Sequence, residues 1–270
     1  MSVDYPPETL KKICQQRDIN WLFNEAFLGV KNVFDRTGAH FDPSNDIKKY
    51  IDSIKINKKP NIPSWTKVRQ PQNITKKELF KKYGLSYRSK YIVLLGQEVC
   101  DKSIIHSKNT EIKDYKDYIH HLVTNNLDTT FLFKAHPVYN TIKKRDAQLM
   151  DYIYNYKNIV KIDENINSLF SIFDNFTTYS STTTFEGLIQ NKKFATVGYH
   201  FCDNDKLVFQ MRTLEDFKDL YKKLDKFKID QKVKDKFIYF ICNYYSIFCD
   251  SDQLVDRLEL SSEEYFKKEY

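Results

Sequence analysis

Glycine and cysteine are both scarce in this sequence, and their scarcity limits what the protein can be. The 270 residues include six glycines and five cysteines, and no CxxC pair occurs. An odd number of cysteines without paired spacing predicts neither a disulfide framework nor a zinc site. The glycines form no GxGxxG, GxxxxGK or GxSxG pattern, which argues against a nicotinamide-binding protein, a P-loop protein and an α/β-hydrolase.

Long apolar runs are also missing. No run approaches the roughly 20 residues that a membrane-spanning helix needs, and the beginning, MSVDYPPETLKKICQQ, has no apolar stretch typical of a secretory signal. We therefore expect a cytoplasmic protein, and a reducing compartment suits its unpaired cysteines. The basic, aromatic segment VKDKFIYFICNYYSIF leaves peripheral contact with the inner membrane face as an alternative, although the pattern is more typical of a packed helix.

The composition is that of a globular protein with a basic surface. Hydrophobic residues make up 41% and charged residues 29% of the chain, and the formal net charge is +7. A positive charge favours an acidic partner, such as a phosphate-bearing substrate, a polyanion or an anionic membrane surface. Nucleic acid is disfavoured as the partner, because no recognised nucleic-acid-binding motif is present and the aromatic residues fall mostly at core-like spacing.

From residue 90 onward, short apolar segments alternate with helical patterns. The predicted strands are 91–96, 129–135, 158–162, 176–180 and 193–198. The predicted helices between them are 113–126, 146–156, 168–173 and 181–191. This alternation predicts an α/β fold with a parallel sheet and helices on both of its faces.

The regions before and after this alternating part have a different sequence pattern. Residues 1–88 contain helix-like stretches at Glu8 to Gln16, Ile19 to Val30 and Asp46 to Ile54, and then a proline-containing linker. After Leu214 the pattern is helical to the end of the chain. We therefore predict an N-terminal region over 1–88, a Rossmann-like lobe over 89–217 and C-terminal helices over 218–270.

Polar clusters follow three of the predicted strands. They are GQEVCDKS (96–103), KAHP (134–137) and SSTTTFE (180–186). In an open parallel sheet, ligands bind at the carboxyl ends of the strands. The three clusters are therefore expected at one edge, where a ligand would bind.

Two of the clusters suit an anion. Lys134 and His136 can both donate to phosphate oxygens, and Pro137 fixes the turn that follows; a His that bonds only to backbone is the alternative. In SSTTTFE, the hydroxyls and free N–H groups of a helix start favour phosphate, although Ser and Thr also serve there as simple helix caps. These patterns predict a phosphate-bearing ligand without naming a reaction.

The third cluster carries a carboxylate. Gln97 and Asp101 follow the first predicted strand directly. Asp101 in that place could act as a nucleophile or a general base, or it could cap a turn. Spacing alone does not decide between these roles.

Taken in order, the motifs resemble those of the bacterial capsule polysaccharide biosynthesis proteins, which include the β-Kdo transferases. The matching stretches are YIVLLGQEVCDKS, FLFKAHP, YSSTTTFEGLIQNKKFATVGYHF, RTLEDF and the upstream NEAFLGVKNVFDRTGAHFDPSNDIKKYI. The resemblance covers roughly residues 22–217. It implies a GT-B fold, a CMP-activated acidic sugar such as Kdo as donor, a polysaccharide or glycolipid acceptor, and no metal or other cofactor.

The resemblance also assigns roles to residues. Lys134 and His136, with Pro137 fixing their turn, would hold the CMP phosphate. Ser180, Ser181 and Thr182 would bind the phosphate or ribose, and Glu186 would reach the nucleotide. Asp101 would be the nucleophile of a retaining transfer, and Gln97 would position Asp101 or the sugar.

The sequence departs from the family pattern in two places. The 88 residues before the lobe are fewer than a typical GT-B N-terminal lobe, so we expect a reduced acceptor-side region, shortened or incomplete. YHFCDND replaces the usual stretch after the last strand. Two other hypotheses stay open: a sialyltransferase that uses CMP-sialic acid with an inverting general base, and a non-catalytic subunit of a capsule-assembly complex.

Overall fold

The computed structural model describes residues 13, 16–17, 23–27, 31–35, 51, 56, 60, 62, 74–97, 104, 111–112, 114–136 and 147–247. The chain divides into two compact units. One comprises Arg69–Ile229, and the other comprises Met1–Val68 together with Asp230–Tyr270.

Strands and helices are numbered here in chain order. The strands are β1 (Phe23–Phe27), β2 (Lys31–Asp35), β3 (Lys90–Leu95), β4 (Thr129–Lys134), β5 (Ile159–Ile162), β6 (Asn175–Thr178), β7 (Lys193–Thr196), β8 (Phe209–Gln210) and β9 (Ser246–Ile247). The α-helices are α1 (Lys76–Lys82), α2 (Tyr115–Thr124), α3 (Ala147–Tyr154), α4 (Ile166–Ile172), α5 (Thr183–Ile189), α6 (Leu220–Lys226) and α7 (Gln231–Phe240). A 3-10 helix spans Leu214–Phe217, and a π-helical segment spans Ile241–Tyr245.

The unit Arg69–Ile229 is built on a six-stranded sheet. Its strand order is β5-β4-β3-β6-β7-β8, and every neighbouring pair is parallel. The central strand β3 is buried from Ile92 to Leu95. A continuous apolar strand is expected here, because a parallel sheet covered on both faces leaves no side of its central strands in water.

Each face of the sheet packs against its own helices. Helix α2 begins at the Asp114 cap, whose carboxylate accepts from Asp117 N at 2.8 Å, and it buries Tyr115 and Tyr118 in the core that holds Ile92. The opposite face carries aromatic rings. They form the contacts Phe170–Phe176 (4.9 Å) from α4 to β6 and Phe176–Phe194 (5.2 Å) across the two strands.

The fold class predicted from the sequence is confirmed, with one strand more than expected. All five predicted strands form, and the helices predicted between them form too. Strand β8 was not predicted. It contributes only two residues, Phe209 and Gln210, which pair with Ala195 and Thr196 of β7.

The helix predicted over Ile19 to Val30 is wrong. Strand β1 occupies the middle of this stretch and pairs antiparallel with β2, which follows the stretch, so that Phe27 lies opposite Lys31. Strand β2 also pairs with β9, so Asn32 lies opposite Ile247. The N-terminal region is therefore not mostly helical in its described residues, because a pairing with a segment more than 200 residues later overrides the local helical pattern.

The C-terminal prediction also needs correction, since β9 interrupts the expected helical run to the end of the chain. The predicted helix over Asp46 to Ile54 lies largely outside the described residues. The chain passes from one compact unit to the other at residues 68–69 and 229–230, and the predicted boundaries at 88 and 217 stay predictions. Helix α1 belongs with the sheet because Lys82 Nζ and Tyr83 OH donate to buried Glu164, at 2.7 and 2.9 Å.

Helix α6 is attached to the sheet unit as well. Leu220 N donates to Asn126 Oδ1 at 2.7 Å, and Lys193 Nζ donates to Asp225 O at 2.6 Å. Among the described residues, no helix has the length and apolar character needed to cross a membrane.

Candidate functional site

The strand order places a topological switch point between β3 and β6. Reading from β3, the chain first adds β4 and β5 on one side and then returns to add β6, β7 and β8 on the other. Helix α2, which follows β3, packs on the face of Ile92, whereas α5, which follows β6, packs on the face of Phe194. Helices that leave in opposite directions open a crevice at the carboxyl ends of the strands, where doubly wound sheets bind their ligands.

Gln97 joins the two strands of the switch point. Its Oε1 accepts from Ser180 N at 2.7 Å and from Thr178 Oγ1 at 2.9 Å, and its Nε2 donates to Ser180 Oγ at 3.3 Å. Gln97 and Ser180 are only 3% and 2% exposed. The amide of Gln97 therefore fixes the turn after β6 from the end of β3, across 83 residues of sequence.

Tyr115 supports Gln97 from the other side. Its phenol accepts from Gln97 N at 3.2 Å and donates to Leu95 O at 3.4 Å. Burial raises the pKa of Tyr115, so the phenol stays protonated and keeps this donor role. The ring also contacts Tyr118 and Tyr179, whose centroids lie 5.6 and 6.3 Å away.

Residues 134–136 lie directly against the end of β3. Gly96 N donates to Lys134 O at 2.8 Å. A Cβ on Gly96 would lie 3.1 Å from Lys134 O, 3.2 Å from His136 N and 2.9 Å from the Phe133 ring. Glycine is needed here because any side chain would push the end of β4 away from β3.

Register shows which predicted residues share a face. Lys134 pairs with Leu95, and Val93 pairs with Phe176. Because side chains alternate along a strand, Lys134 lies on the face of Phe176, the same face on which α5 packs. Lys134 and His136 are both half-buried. The lysine and the start of α5 are thus on one side of the sheet, with β3 between their strands.

The start of α5 is polar and closely tied to the preceding turn. Ser181 Oγ accepts from Thr183 N at 3.2 Å, while Thr182, the residue before the first helical position, makes no side-chain cap. Glu186 lies in the first turn and is buried. The capping expected from the sequence is made by Ser181 rather than by Thr182.

The predicted site residues fall into two groups. The structure brings Gln97, Lys134 and His136 to the same edge as Ser180, Ser181, Thr182 and Glu186. Asp101 and Pro137 lie outside the described residues, so their predicted roles stay predictions. In the described parts of the chain, no group of three or more His, Cys, Asp or Glu side chains could hold a metal ion.

Sequence reasoning missed two residues that shape this edge. Gly96 is the first residue of the GQEVCDKS cluster, and a glycine at the end of a buried strand indicates a close approach of another backbone segment. Tyr115 was recognised only as part of a helical pattern. Its role had no signal in the sequence, because its partners Leu95 and Gln97 belong to another element.

Comparisons with known proteins agree with this architecture. The family model described as capsule polysaccharide biosynthesis protein matches residues 36–245. The solved structure of Thermosulfurimonas dismutans KpsC, beta Kdo 2,7 transferase, matches with a TM-score of 0.58 at 15% identity, covering 92% of this chain and 85% of that one. The beta Kdo 2,4 transferase of the same KpsC gives a TM-score of 0.48 at 16% identity, covering 86% and 75% of the two chains. No match is found among curated protein sequences.

These findings differ in what they establish. At 15% identity, the structural match shows a shared fold, and together with the parallel sheet it confirms the predicted GT-B-like α/β class. The family match covers well over half of the chain and includes all three polar clusters. The chain therefore belongs to the capsule polysaccharide biosynthesis protein family.

Proposed function

We propose that this protein is a glycosyltransferase of capsule polysaccharide synthesis that moves an acidic sugar, Kdo, from a CMP-sugar to a polysaccharide or glycolipid acceptor. The observation that carries the proposal is that Lys134, His136 and the Ser180–Thr182 turn lie at one edge of a doubly wound sheet, beside its switch point. Membership of the capsule family supports the biological setting. The donor, the acceptor and the reaction remain proposals.

The donor phosphate is the group that this edge suits best. Lys134 and His136 supply donors from the end of β4, and the hydroxyls of Ser181 and Thr182 supply donors from the turn before α5. Their strands are two strand spacings apart, which is about 10 Å. A nucleotide could therefore reach both groups across Gly96, the residue without a side chain that follows β3.

These donors would also assist bond cleavage. When the glycosidic bond to CMP breaks, negative charge increases on the phosphate oxygens that leave with the nucleotide. Cations and oriented hydroxyl groups already in place stabilise that charge without having to reorganise. No metal or other cofactor is needed for this step in the mechanism that we propose.

The sugar side of the reaction rests on Asp101. We propose that its carboxylate attacks the anomeric carbon and forms a glycosyl-enzyme while CMP departs. The acceptor hydroxyl oxygen would then attack the anomeric carbon, displace the carboxylate and release its proton to solvent, so that two inversions give net retention. Gln97 would position Asp101 or the sugar, and its described hydrogen bonds also hold the Ser180 turn.

Calorimetric binding of CMP, with UMP and ADP as controls, tests the donor assignment. We expect the wild-type protein to prefer CMP and His136→Ala to weaken CMP binding by about tenfold, the loss of one charge-assisted contact. His120→Ala is the matched control, since His120 lies on α2, where its Nδ1 contacts Tyr156 OH at 3.0 Å. A folded wild-type protein that does not bind CMP would overturn the donor assignment.

Transfer assays then separate the remaining hypotheses. CMP-Kdo and CMP-sialic acid are compared as donors, and the anomeric configuration of the product distinguishes retention from inversion. We expect Asp101→Ala to abolish transfer while CMP still binds. Transfer only from CMP-sialic acid would instead favour a sialyltransferase, and CMP binding without transfer from either donor would favour a non-catalytic subunit.

A further inference from the structure

The loop between β7 and β8, residues 197–208, begins beside the Ser180 turn. Val197 N and Gly198 N both donate to Tyr179 O, at 3.1 and 2.7 Å. That carbonyl belongs to the residue just before Ser180. The first two residues of the β7–β8 loop are therefore hydrogen-bonded to the backbone that carries the turn.

Arg212 holds this loop at three points. One guanidinium nitrogen, Nη1, donates to Val197 O, and the other, Nη2, forms an ion pair with Asp203 Oδ1. The guanidinium carbon also lies 4.7 Å from the centre of the Tyr199 ring. A planar guanidinium can donate to a carbonyl, pair with a carboxylate and stack on an aromatic ring at the same time. A lysine ammonium cannot make these three contacts with the same geometry.

The ion pair leaves the loop little freedom. The side chain of Asp203 is fully buried, and its Oδ1 also accepts from Gln210 Nε2 at 2.7 Å. The backbone of Asp203 is fixed as well, through a 2.8 Å bond from its N–H to His200 O. A buried carboxylate is tolerated only when it is paired, so loss of the guanidinium would force Asp203 to move.

The loop also contacts α5 directly. The Phe201 ring lies 6.0 Å from the ring of Phe185, which is buried in the first turn of that helix. The Ser180 turn is therefore held on both flanks: Gln97 bonds to it from β3, and the loop fixed by Arg212 bonds to it from the side of β7.

We infer that Arg212 is a positioning residue of the donor site, which acts through the Val197–Gly198 backbone to set the Ser180 turn and the start of α5. The inference rests on the proposed function, because the turn is assigned there to the phosphate or ribose of CMP. Arg212 does not touch the ligand in this account. Asp203, the partner of Arg212 in the ion pair, has the same positioning role.

A purely electrostatic role for Arg212 and a positioning role predict different effects of substituting Arg212 and Asp203. If Arg212 acted only as a distant positive charge, Arg212→Lys would keep CMP affinity, and Asp203→Asn would raise it by removing a negative charge. If the ion pair positions the turn, both substitutions weaken binding. Asp203→Asn therefore separates the two explanations by the sign of its effect.

The test measures CMP affinity by calorimetry, and amide hydrogen exchange over residues 197–203 in the free protein. For Arg212→Ala we expect about a tenfold weaker affinity, the usual scale for contacts that support a binding group, and faster exchange at Val197 and Gly198. Arg212→Lys and Asp203→Asn should change both readouts in the same direction. Lys218→Ala is the matched control, because it also removes one positive charge but breaks only an exposed pair with Glu215.

Each result bears on the inference. Unchanged exchange in Arg212→Ala shows that Arg212 does not fix the loop, and faster exchange with unchanged CMP affinity shows that the loop does not position the site; either result overturns it. If the wild-type protein binds no CMP, the donor-site role falls together with the proposed function, while the exchange data still decide whether Arg212 holds the loop. If Arg212→Ala does not fold, Arg212→Lys and Asp203→Asn give the same comparison.

Discussion

Replacing Gln97 with methionine removes three buried hydrogen bonds at the switch point in a single change. The side chain keeps nearly the same length, so the loss is mainly polar. Ser180 N and Thr178 Oγ1 lose their acceptor, and Ser180 Oγ loses a donor. A buried polar group left without its partner costs about 1–3 kcal/mol.

The expected destabilisation is about 3 kcal/mol, because three groups lose a partner and the methionine recovers part of the loss through apolar burial. For a unit the size of Arg69–Ile229, each kcal/mol lowers Tm by about 2–4 °C. Differential scanning calorimetry should therefore show the transition of this unit about 6–12 °C lower.

A double-mutant cycle with Thr178→Val tests the cause of this change. Thr178→Val alone removes one of the three bonds and should cost about 1 kcal/mol. In the Gln97→Met background the same substitution should cost almost nothing, because the threonine hydroxyl has already lost its acceptor. Additive effects would show that Thr178 and Gln97 do not interact, and a Tm drop below about 2 °C for Gln97→Met would show that Gln97 does not hold the Ser180 turn.

Two other substitutions test the surroundings of the site. Gly187→Ala should destabilise the protein by about 1–3 kcal/mol in thermal unfolding, because the new Cβ would overlap the Phe194 ring; a rise in Tm would show that the ring gives way easily. Burial alone would raise the pKa of Asp216, but hydrogen bonds from Thr213 and Arg212 lower it overall. This contribution is present above the unfolded-state value of about 4 and is lost as pH falls further, so unfolding scans of Asp216→Asn should show less acid sensitivity than those of wild type.

The sheet could be predicted from the sequence because its signals are local. A buried parallel strand is a continuous apolar run, and each run is followed by a helical pattern. Strand β8 has only two residues and is held by β7, so it leaves no such pattern. The stretch that contains β1 has a helical pattern locally, but its structure depends on pairing with β2, whose other partner, Ser246–Ile247, lies more than 200 residues later.

The candidate site was predictable in its parts but not in its internal bonds. Carboxyl ends of parallel strands meet at one edge, so the edge shared by Lys134, His136 and Ser180 follows from the fold class alone. The bond between Gln97 and Ser180 does not. It requires β3 and β6 to be neighbours, and that neighbour relation depends on the order of the strands rather than on their sequences.

The length of α5 explains why the site depends on residues that need not touch a ligand. With seven residues, α5 is too short to be stable by itself, so tertiary contacts must fix the position of its first turn. These contacts come from Gln97 through Ser180, and from Phe201 through Phe185. A variant of Ser180 would therefore change two things together: a hydroxyl offered to the nucleotide and the bond that holds its own turn. Gln97→Met leaves that hydroxyl in place and breaks its bond together with those to Ser180 N and Thr178 Oγ1. A Ser180→Ala variant that loses more CMP affinity than Gln97→Met would therefore show that the hydroxyl itself contributes to binding.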